Sequence, residues 1–171
     1  RANEVFILAA FKRGGFYSQP ESPLKFVSRE LRSNRKIVFA AVKRGCSALK
    51  YASKDLRADK KIGLAAVKRE GWALQYASKD LRADKKIALA ALKRHGRSLE
   101  YASKGLRDDR DVVEASITSE PVAIRYASNA FKNDKNIFLK LVKKSQFVLR
   151  EASPEILQDY EIGLMAVKYF G

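Results

Sequence analysis

The sequence predicts an all-α fold, a right-handed α-solenoid built from short helical-pair repeats with a period of 25 residues. The triplet Tyr-Ala-Ser begins at Tyr51, Tyr76, Tyr101 and Tyr126. Residues 51–70 and 76–95 differ at only three positions. No segment shows the alternating apolar and polar pattern of a β-strand. Because self-similarity at a short fixed period is typical of stacked repeats, we expect an extended array without a single central pocket.

Each repeat is predicted to begin with a capped helix. Asp59 can accept a hydrogen bond from a free amide of the first turn. The segment 60–70 then has apolar residues at helical spacing, with Leu64 and Val67 widening the buried stripe. Gly71 stands where a helix would end in the left-handed conformation. The equivalent capping residues are Asn34, Asp59, Asp84, Asp109, Asp134 and Asp159.

The second half of the repeat is predicted to contain a shorter helix, from about Trp72 to Ser78, and then a tight turn over 79–82. Pro154 follows Ser153 and fits the first position of a helix, which favours a break near each Tyr-Ala-Ser. A single uninterrupted second helix is the competing interpretation. The residues expected to form the packing core between repeats are Ile62, Ile87, Leu56, Leu81, Tyr51, Tyr76, Tyr101 and Tyr126.

We interpret residues 1–171 as a single repeat array. It comprises a partial unit at 1–16, a longer link at 17–23, and repeats from about 24 to 171, of which the last is incomplete. The chain opens on Arg1 and stops partway through a repeat, so we expect it to be a piece of something longer. We expect further sequence or another subunit to cover the apolar side chains of the last helix, Ala166, Val167, Tyr169 and Phe170.

The repeat also resembles a known family. The pattern Asp-x-x-Ile-x-x-Ala-Ala-Val-Lys-x-x-Gly, followed by x-Leu-x-Tyr-Ala-Ser, is similar to the tandem helical repeats called domain of unknown function 4116. Residues 109–121 depart from the pattern because they lack the Lys-Arg pair and the glycine, and Glu151 replaces the last tyrosine. The resemblance implies a helical-repeat fold. It brings no established activity and no catalytic residues to this chain.

Charge indicates the kind of partner. The chain has 35 Lys and Arg against 19 Asp and Glu, a formal charge of +16. Such an excess favours an anionic partner: nucleic acid, an acidic protein face or anionic lipid. The longest apolar run is too short for a transmembrane segment. Cys46 is the only cysteine, which favours a reducing, intracellular environment in an unknown compartment.

The sequence offers no set of catalytic or metal-binding residues. His95 is the only histidine, so no zinc-binding constellation exists, and His95 lies about two repeats from Cys46. We interpret His95 as a solvated residue near a helix end. Gly14-Gly15 does not follow a predicted strand and lacks the lysine of a phosphate-binding loop. We therefore predict a protein that is not an enzyme and has no cofactor or metal.

Basic residues recur at two positions of the repeat and form a predicted partner-binding ladder. Pairs at the end of the first helix are Lys43, Arg44, Lys68, Arg69, Lys93, Arg94, Lys143 and Lys144, with Lys12-Arg13 in the partial unit. A second set, Lys60, Lys61, Lys85 and Lys86, follows the caps, where its charge opposes the helix dipole without an evident structural reason. Thr118-Ser119 interrupts the ladder. This interruption favours a localised partner surface over a continuous nucleic-acid track.

The sequence thus predicts a non-catalytic helical-repeat scaffold, or protein–protein interaction module, within a larger assembly. Its basic surface would dock a protein partner that has an acidic surface. Binding of RNA or another nucleic acid through the Lys/Arg ladder is the alternative, with bases stacked on the tyrosine column. Peripheral binding at an anionic membrane surface is a weaker alternative.

Overall fold

The computed structural model describes residues 22–45 and 47–171. Each repeat contains a longer first helix, and these are α1 (Arg35–Arg44), α2 (Lys60–Arg69), α3 (Lys85–Leu92), α4 (Arg110–Ser119), α5 (Lys135–Val142) and α6 (Tyr160–Phe170). No strand occurs within the described ranges. The predicted all-α repeat fold is confirmed. The partial unit 1–16, its Lys12-Arg13 pair, most of the link 17–23 and Cys46 lie outside the described residues.

Two short segments complete each repeat. The first kind is Pro23–Phe26 before α1, and after α1 to α5 it is Ala48–Tyr51, Gly71–Tyr76, Gly96–Tyr101, Pro121–Tyr126 and Gln146–Glu151. All of these are 3-10 helices except Ala48–Tyr51, which is a single α-helical turn. The turn that follows Tyr-Ala-Ser or its equivalent is Arg29–Ser33, Lys54–Arg57, Lys79–Arg82, Leu106–Asp108, Asn129–Lys132 or Pro154–Leu157.

The capping prediction is confirmed for α1 to α6. The Asp84 carboxylate, for example, accepts hydrogen bonds from the backbone N–H groups of Lys86 and Ile87 at 3.0 and 3.1 Å. Asn34, Asp59 and Asp159 likewise accept two such bonds. Asp109 and Asp134 each accept one, from the N–H of Val112 and Ile137. Satisfying amides that the helix itself leaves free gives each repeat a defined start.

The left-handed glycine predicted at the end of the first helix is wrong. Glu70, which follows α2, is extended (φ −139°, ψ 114°), and Gly71 opens the 3-10 helix. Gly71 is needed for a different reason: a Cβ there would lie 2.2 Å from the carbonyl oxygen of Ala91 in the next repeat. Close approach of the neighbouring backbone, and not a positive φ, therefore selects glycine.

The predicted break at Tyr-Ala-Ser is confirmed, and a single uninterrupted second helix is wrong. Ala77 is extended (φ −69°, ψ 157°), and Ser78 caps the following turn by accepting a hydrogen bond from the N–H of Leu81. The second segment differs from the prediction in type, because Gly71–Tyr76 is a 3-10 helix and ends before Ser78. At six residues, this segment is longer than most 3-10 helices.

Neighbouring repeats are joined by a shared core and by backbone hydrogen bonds. Ile62, Ile87, Leu56 and Leu81 are buried, whereas the rings of Tyr51, Tyr76, Tyr101 and Tyr126 are half-buried against that core. The serine N–H of each Tyr-Ala-Ser donates to a carbonyl of the preceding repeat, as Ser78 does to Arg57 at 3.0 Å. This link recurs from Ser53 to Ser153. Because each repeat satisfies groups of its neighbour, the units depend on one another. The right-handed superhelix stays a prediction.

Candidate partner-binding surface

The outer face of α2 carries an apolar stripe between two lysines. Lys61, Leu64, Ala65 and Lys68 follow a spacing of three, four and seven residues, which puts them on one side of the helix. Lys61 and Lys68 are exposed, and Leu64 is half-buried. As the sequence interpretation expects, Leu64 packs against the core with part of its side chain, and the rest of the side chain is exposed. The fully buried side chains of α2 are those of Ile62, Ala66 and Val67.

The same face repeats on three successive helices. α1 packs against α2 and α2 against α3, which places equivalent positions side by side. We call this surface the docking face; it consists of an apolar column, Phe39, Leu64 and Leu89, and two flanking lysine columns, Lys36, Lys61 and Lys86 on one side and Lys43, Lys68 and Lys93 on the other. All three apolar side chains are half-buried and all six lysines are exposed.

A groove opens between α2 and α3 on this face. Its volume is about 450 Å³, and its lining residues are Leu64, Lys68, Lys86, Leu89, Ala90, Lys93 and Arg94. Leucine and alanine form an apolar floor, and the basic residues stand around it. An anionic group bound at the rim could thus sit beside an apolar group on the floor. This combination is typical of protein interfaces, which join an apolar centre to a polar edge.

The docking face ends at the fourth helix. Asp111, Glu114 and Thr118 of α4 occupy the positions that hold Lys86, Leu89 and Lys93 on α3. Asp111, Glu114 and Thr118 are all exposed. The apolar column is interrupted here and the sign of the charge changes. An anionic partner is therefore attracted by the exposed lysines of α1 to α3. On α4 it finds neither these lysines nor an apolar side chain, because Asp111 and Glu114 are there and form ion pairs with Lys85 and Arg110.

Part of the predicted ladder has a structural role that the sequence analysis missed. Lys60 Nζ lies 2.9 Å from the Asp84 carboxylate, the cap of the next helix, and Lys85 Nζ lies 2.9 Å from Asp109 and 2.7 Å from Asp111. The same bridge recurs as Arg35–Asp59, Arg110–Asp134 and Lys135–Asp159. The argument that these cations lack a structural reason is therefore wrong for Lys60 and Lys85.

These bridges also affect titration of the caps. The Lys60 ammonium, together with the N–H of Ile87, holds the pKa of Asp84 below its ordinary value. Hydrogen bonds to Asp111 and Asp109 raise the pKa of Lys85. Both groups therefore stay charged near neutral pH, and the bridge links successive repeats under those conditions.

Some of the cations at the ends of the first helices make contacts within the chain, and others line the groove. Arg69 donates a hydrogen bond to the carbonyl oxygen of Lys43 at 3.2 Å, which ties α2 to α1. The Lys43 ammonium lies 4.7 Å from the centroid of the Phe39 ring, a cation–π contact. Lys68 and Lys93 are exposed at the groove between α2 and α3. Arg44 lies in the last turn of α1, Arg94 lines the groove, and Lys143 and Lys144 follow α5 beyond the acidic interruption.

The tyrosine column and His95 lie among the 3-10 segments. Burial raises the pKa of Tyr101 above its ordinary value, which agrees with a ring packed partly inside. Trp72 packs edge-on against Tyr76 with ring centroids 6.2 Å apart. His95 Nδ1 accepts a hydrogen bond from the N–H of Gly71 at 3.2 Å. The interpretation of His95 as merely solvated is therefore wrong, because it bridges two repeats.

The described ranges contain no cluster of three or more histidine, cysteine or acidic side chains placed to hold a metal ion. In the same part of the chain, no helix combines the length and apolar character needed to cross a bilayer.

Comparison with known proteins identifies the repeats. A family model described as Domain of unknown function (DUF4116) matches five times in tandem, over residues 6–57, 34–82, 59–107, 84–132 and 109–158. No curated protein and no solved structure shows significant similarity to the chain. Because the five matches together extend over most of the sequence, the chain belongs to the DUF4116 family of tandem helical repeats.

Proposed function

We propose that this chain is a non-catalytic scaffold that binds an acidic partner protein on its docking face. The groove between α2 and α3 carries the proposal, because its apolar floor of Leu64 and Leu89 lies inside a rim of lysine and arginine. A surface that recognised only phosphates would gain little from half-buried leucine at its centre, since phosphate contacts need cations and hydrogen-bond donors. An acidic protein with apolar side chains satisfies both parts of the groove.

The cations of the rim are suited to a transient or regulated interaction. Lys68 and Lys93 are exposed and, unlike Lys60 and Lys85, form no ion pair within the described chain. An acidic partner therefore need not displace an ion pair to reach them. Exposed charges of this kind increase the association rate more than the affinity, whereas burial of the apolar centre supplies most of the binding free energy. The rim thus increases the association rate, and the floor supplies the affinity.

Photo-cross-linking in the native source tests the proposal. A photoreactive amino acid at position 64 should form adducts with a defined protein, and the double substitution Lys68→Ala and Lys93→Ala should reduce the adduct severalfold. The matched control is Lys79→Ala with Lys104→Ala, because those lysines are also exposed but directly follow a Tyr-Ala-Ser triplet, outside the docking face. The control should leave the adduct unchanged. RNA adducts at position 64 in place of protein adducts would contradict the proposal.

A further inference from the structure

We propose that the partner presents an amphipathic α-helix with acidic flanks, lying across α1, α2 and α3 with an apolar residue at every seventh position. This inference rests on the proposed function and specifies the partner's shape. It follows from the width of the docking face, from the spacing of its apolar column and from its charge boundary.

The width of the docking face fits one helix. Lys61 and Lys68 are seven residues apart on α2, which corresponds to about 10.5 Å along the helix axis. An α-helix with side chains is about 10–12 Å across. A helix resting on Leu64 therefore reaches the two lysine columns with its two flanks at once. An extended chain that turns every second side chain to the floor directs the others away from the surface, so it has no side chains directed at the two lysine columns.

The spacing of the apolar column also fits a helix. Packed helices such as α1, α2 and α3 are separated by about 8–10 Å, which sets the distance between Phe39, Leu64 and Leu89. Residues seven apart on a helix lie on nearly the same side and about 10.5 Å from one another. Side chains on the same side of a β-strand lie about 6.6 or 13 Å apart, so their spacing does not match that of the apolar column.

The charge boundary limits the length and the composition of the partner helix. Lysines flank the apolar column on both sides, so acidic residues are required on both flanks of the partner. On α4, Asp111 and Glu114 replace a lysine and a leucine of the docking face, so a further acidic turn with an apolar residue would find no complementary side chains. Three apolar contacts and no fourth are therefore expected, which corresponds to a helix of roughly 15–21 residues.

Three synthetic peptides of 21 residues test this inference. The first has leucine at every seventh position, glutamate beside each leucine and alanine elsewhere. The second has the same composition with the leucines distributed around the helix. The third is the first with two central prolines, which prevent a continuous helix. Fluorescence anisotropy measures affinity, and circular dichroism measures helix formation on binding. The first peptide should bind at least tenfold more tightly than the other two and should gain helicity.

Two substitutions locate the site. Leu64→Asp should weaken binding of the first peptide at least tenfold, because it places a negative charge at the centre of the apolar column, where it repels the acidic partner. Leu164→Asp is the matched control: it lies at the same position of the repeat on α6, beyond the acidic interruption, and is 55% exposed. The control should bind as the wild type does. If Leu64→Asp lowers the helical content, Leu64→Ala replaces it, with the same expected direction.

The outcomes separate this inference from the proposed function. Equal binding of all three peptides, weakened by Lys68→Ala with Lys93→Ala, would overturn the helical partner and leave acidic docking intact. Binding of a 20-nucleotide single-stranded RNA with no peptide binding would overturn both. Equal losses in Leu64→Asp and Leu164→Asp would show that the docking face is not the site and would also overturn the inference.

Discussion

Replacing Gly71 by alanine tests how closely successive repeats approach. A Cβ at this position would lie 2.2 Å from the Ala91 carbonyl oxygen and 3.0 Å from Ser98 Oγ, whereas ordinary contact begins at 3.4 Å. The Ala91 backbone belongs to α3 and cannot rotate away as a side chain would. The 3-10 segment or α3 must therefore shift by about 1 Å, which disturbs the packing of buried neighbours.

The expected cost can be estimated from overpacking in other cores. Gly71→Ala should lower the free energy of unfolding by about 1–3 kcal/mol. In a chain of this size, each kcal/mol corresponds to roughly 2–4 °C, so the melting temperature should fall by about 2–12 °C. Thermal and urea unfolding followed by circular dichroism measure this change. Hydrogen exchange should show the loss of protection concentrated in α3 and in the segment Gly96–Tyr101.

Gly163→Ala is the matched control. Gly163 lies inside α6, and a Cβ there would have no atom within 4 Å. Alanine favours the helix by about 0.5–1 kcal/mol over glycine, so this variant should be as stable as the wild type or more stable. Equal stability of Gly71→Ala and Gly163→Ala would refute the reasoning, because it would mean that the two backbones are not in contact.

Three further predictions concern the links between repeats. Asp84→Ala should lower the free energy of unfolding by about 0.5–2 kcal/mol because it removes the cap of α3. Lys60→Ala removes only the ion pair with Asp84 and should lower the free energy of unfolding less. Urea unfolding of both variants shows which of them is less stable. The Lys60 ammonium lowers the pKa of Asp84, so this stabilisation is complete above the unfolded-state pKa of about 3.9 and is lost as pH falls through the lower folded value. The urea midpoint should therefore drop in acid, and less so in Asp84→Asn. Ser98→Ala should leave stability unchanged or raise it by up to about 1 kcal/mol, because Ser98 Oγ is buried without a hydrogen-bond partner in the described chain. Ser116→Ala should be destabilising in a parallel thermal melt, because its Oγ donates to the Gly96 carbonyl at 3.0 Å.

Local patterns were sufficient to predict much of the repeat. Asp59 was recognised as a cap because its carboxylate satisfies amides two and three residues away, an interaction confined to one turn. Ile62 was assigned to the core from its place in a helical stripe, and it is buried. The break before Ser78 could be predicted because Pro154 occupies the helix start in the corresponding unit.

The candidate site was only partly predictable. The lysines Lys61 and Lys68 stand out in the sequence, whereas Leu64 between them is predicted only as part of the buried stripe, and the structure leaves part of its side chain exposed. Its spacing of three residues from Lys61 was the signal for an outward position. In the sequence, a helix whose apolar stripe is only partly covered by the next helix has the same pattern as a helix whose stripe is fully buried. Residues of both α2 and α3 line the groove, so it could not be predicted from the sequence of one helix.

By itself, the sequence determined the period, the helix starts and the inward stripe, because these depend on residues within a few positions of one another. Only the tertiary structure decided that Lys60 bridges to Asp84, that Gly71 meets Ala91, and that Leu64 forms the floor of a groove. Each of these relations joins one repeat to the next across 20 to 25 positions. Such contacts depend on the offset and rotation between stacked units, and a repeat period specifies neither.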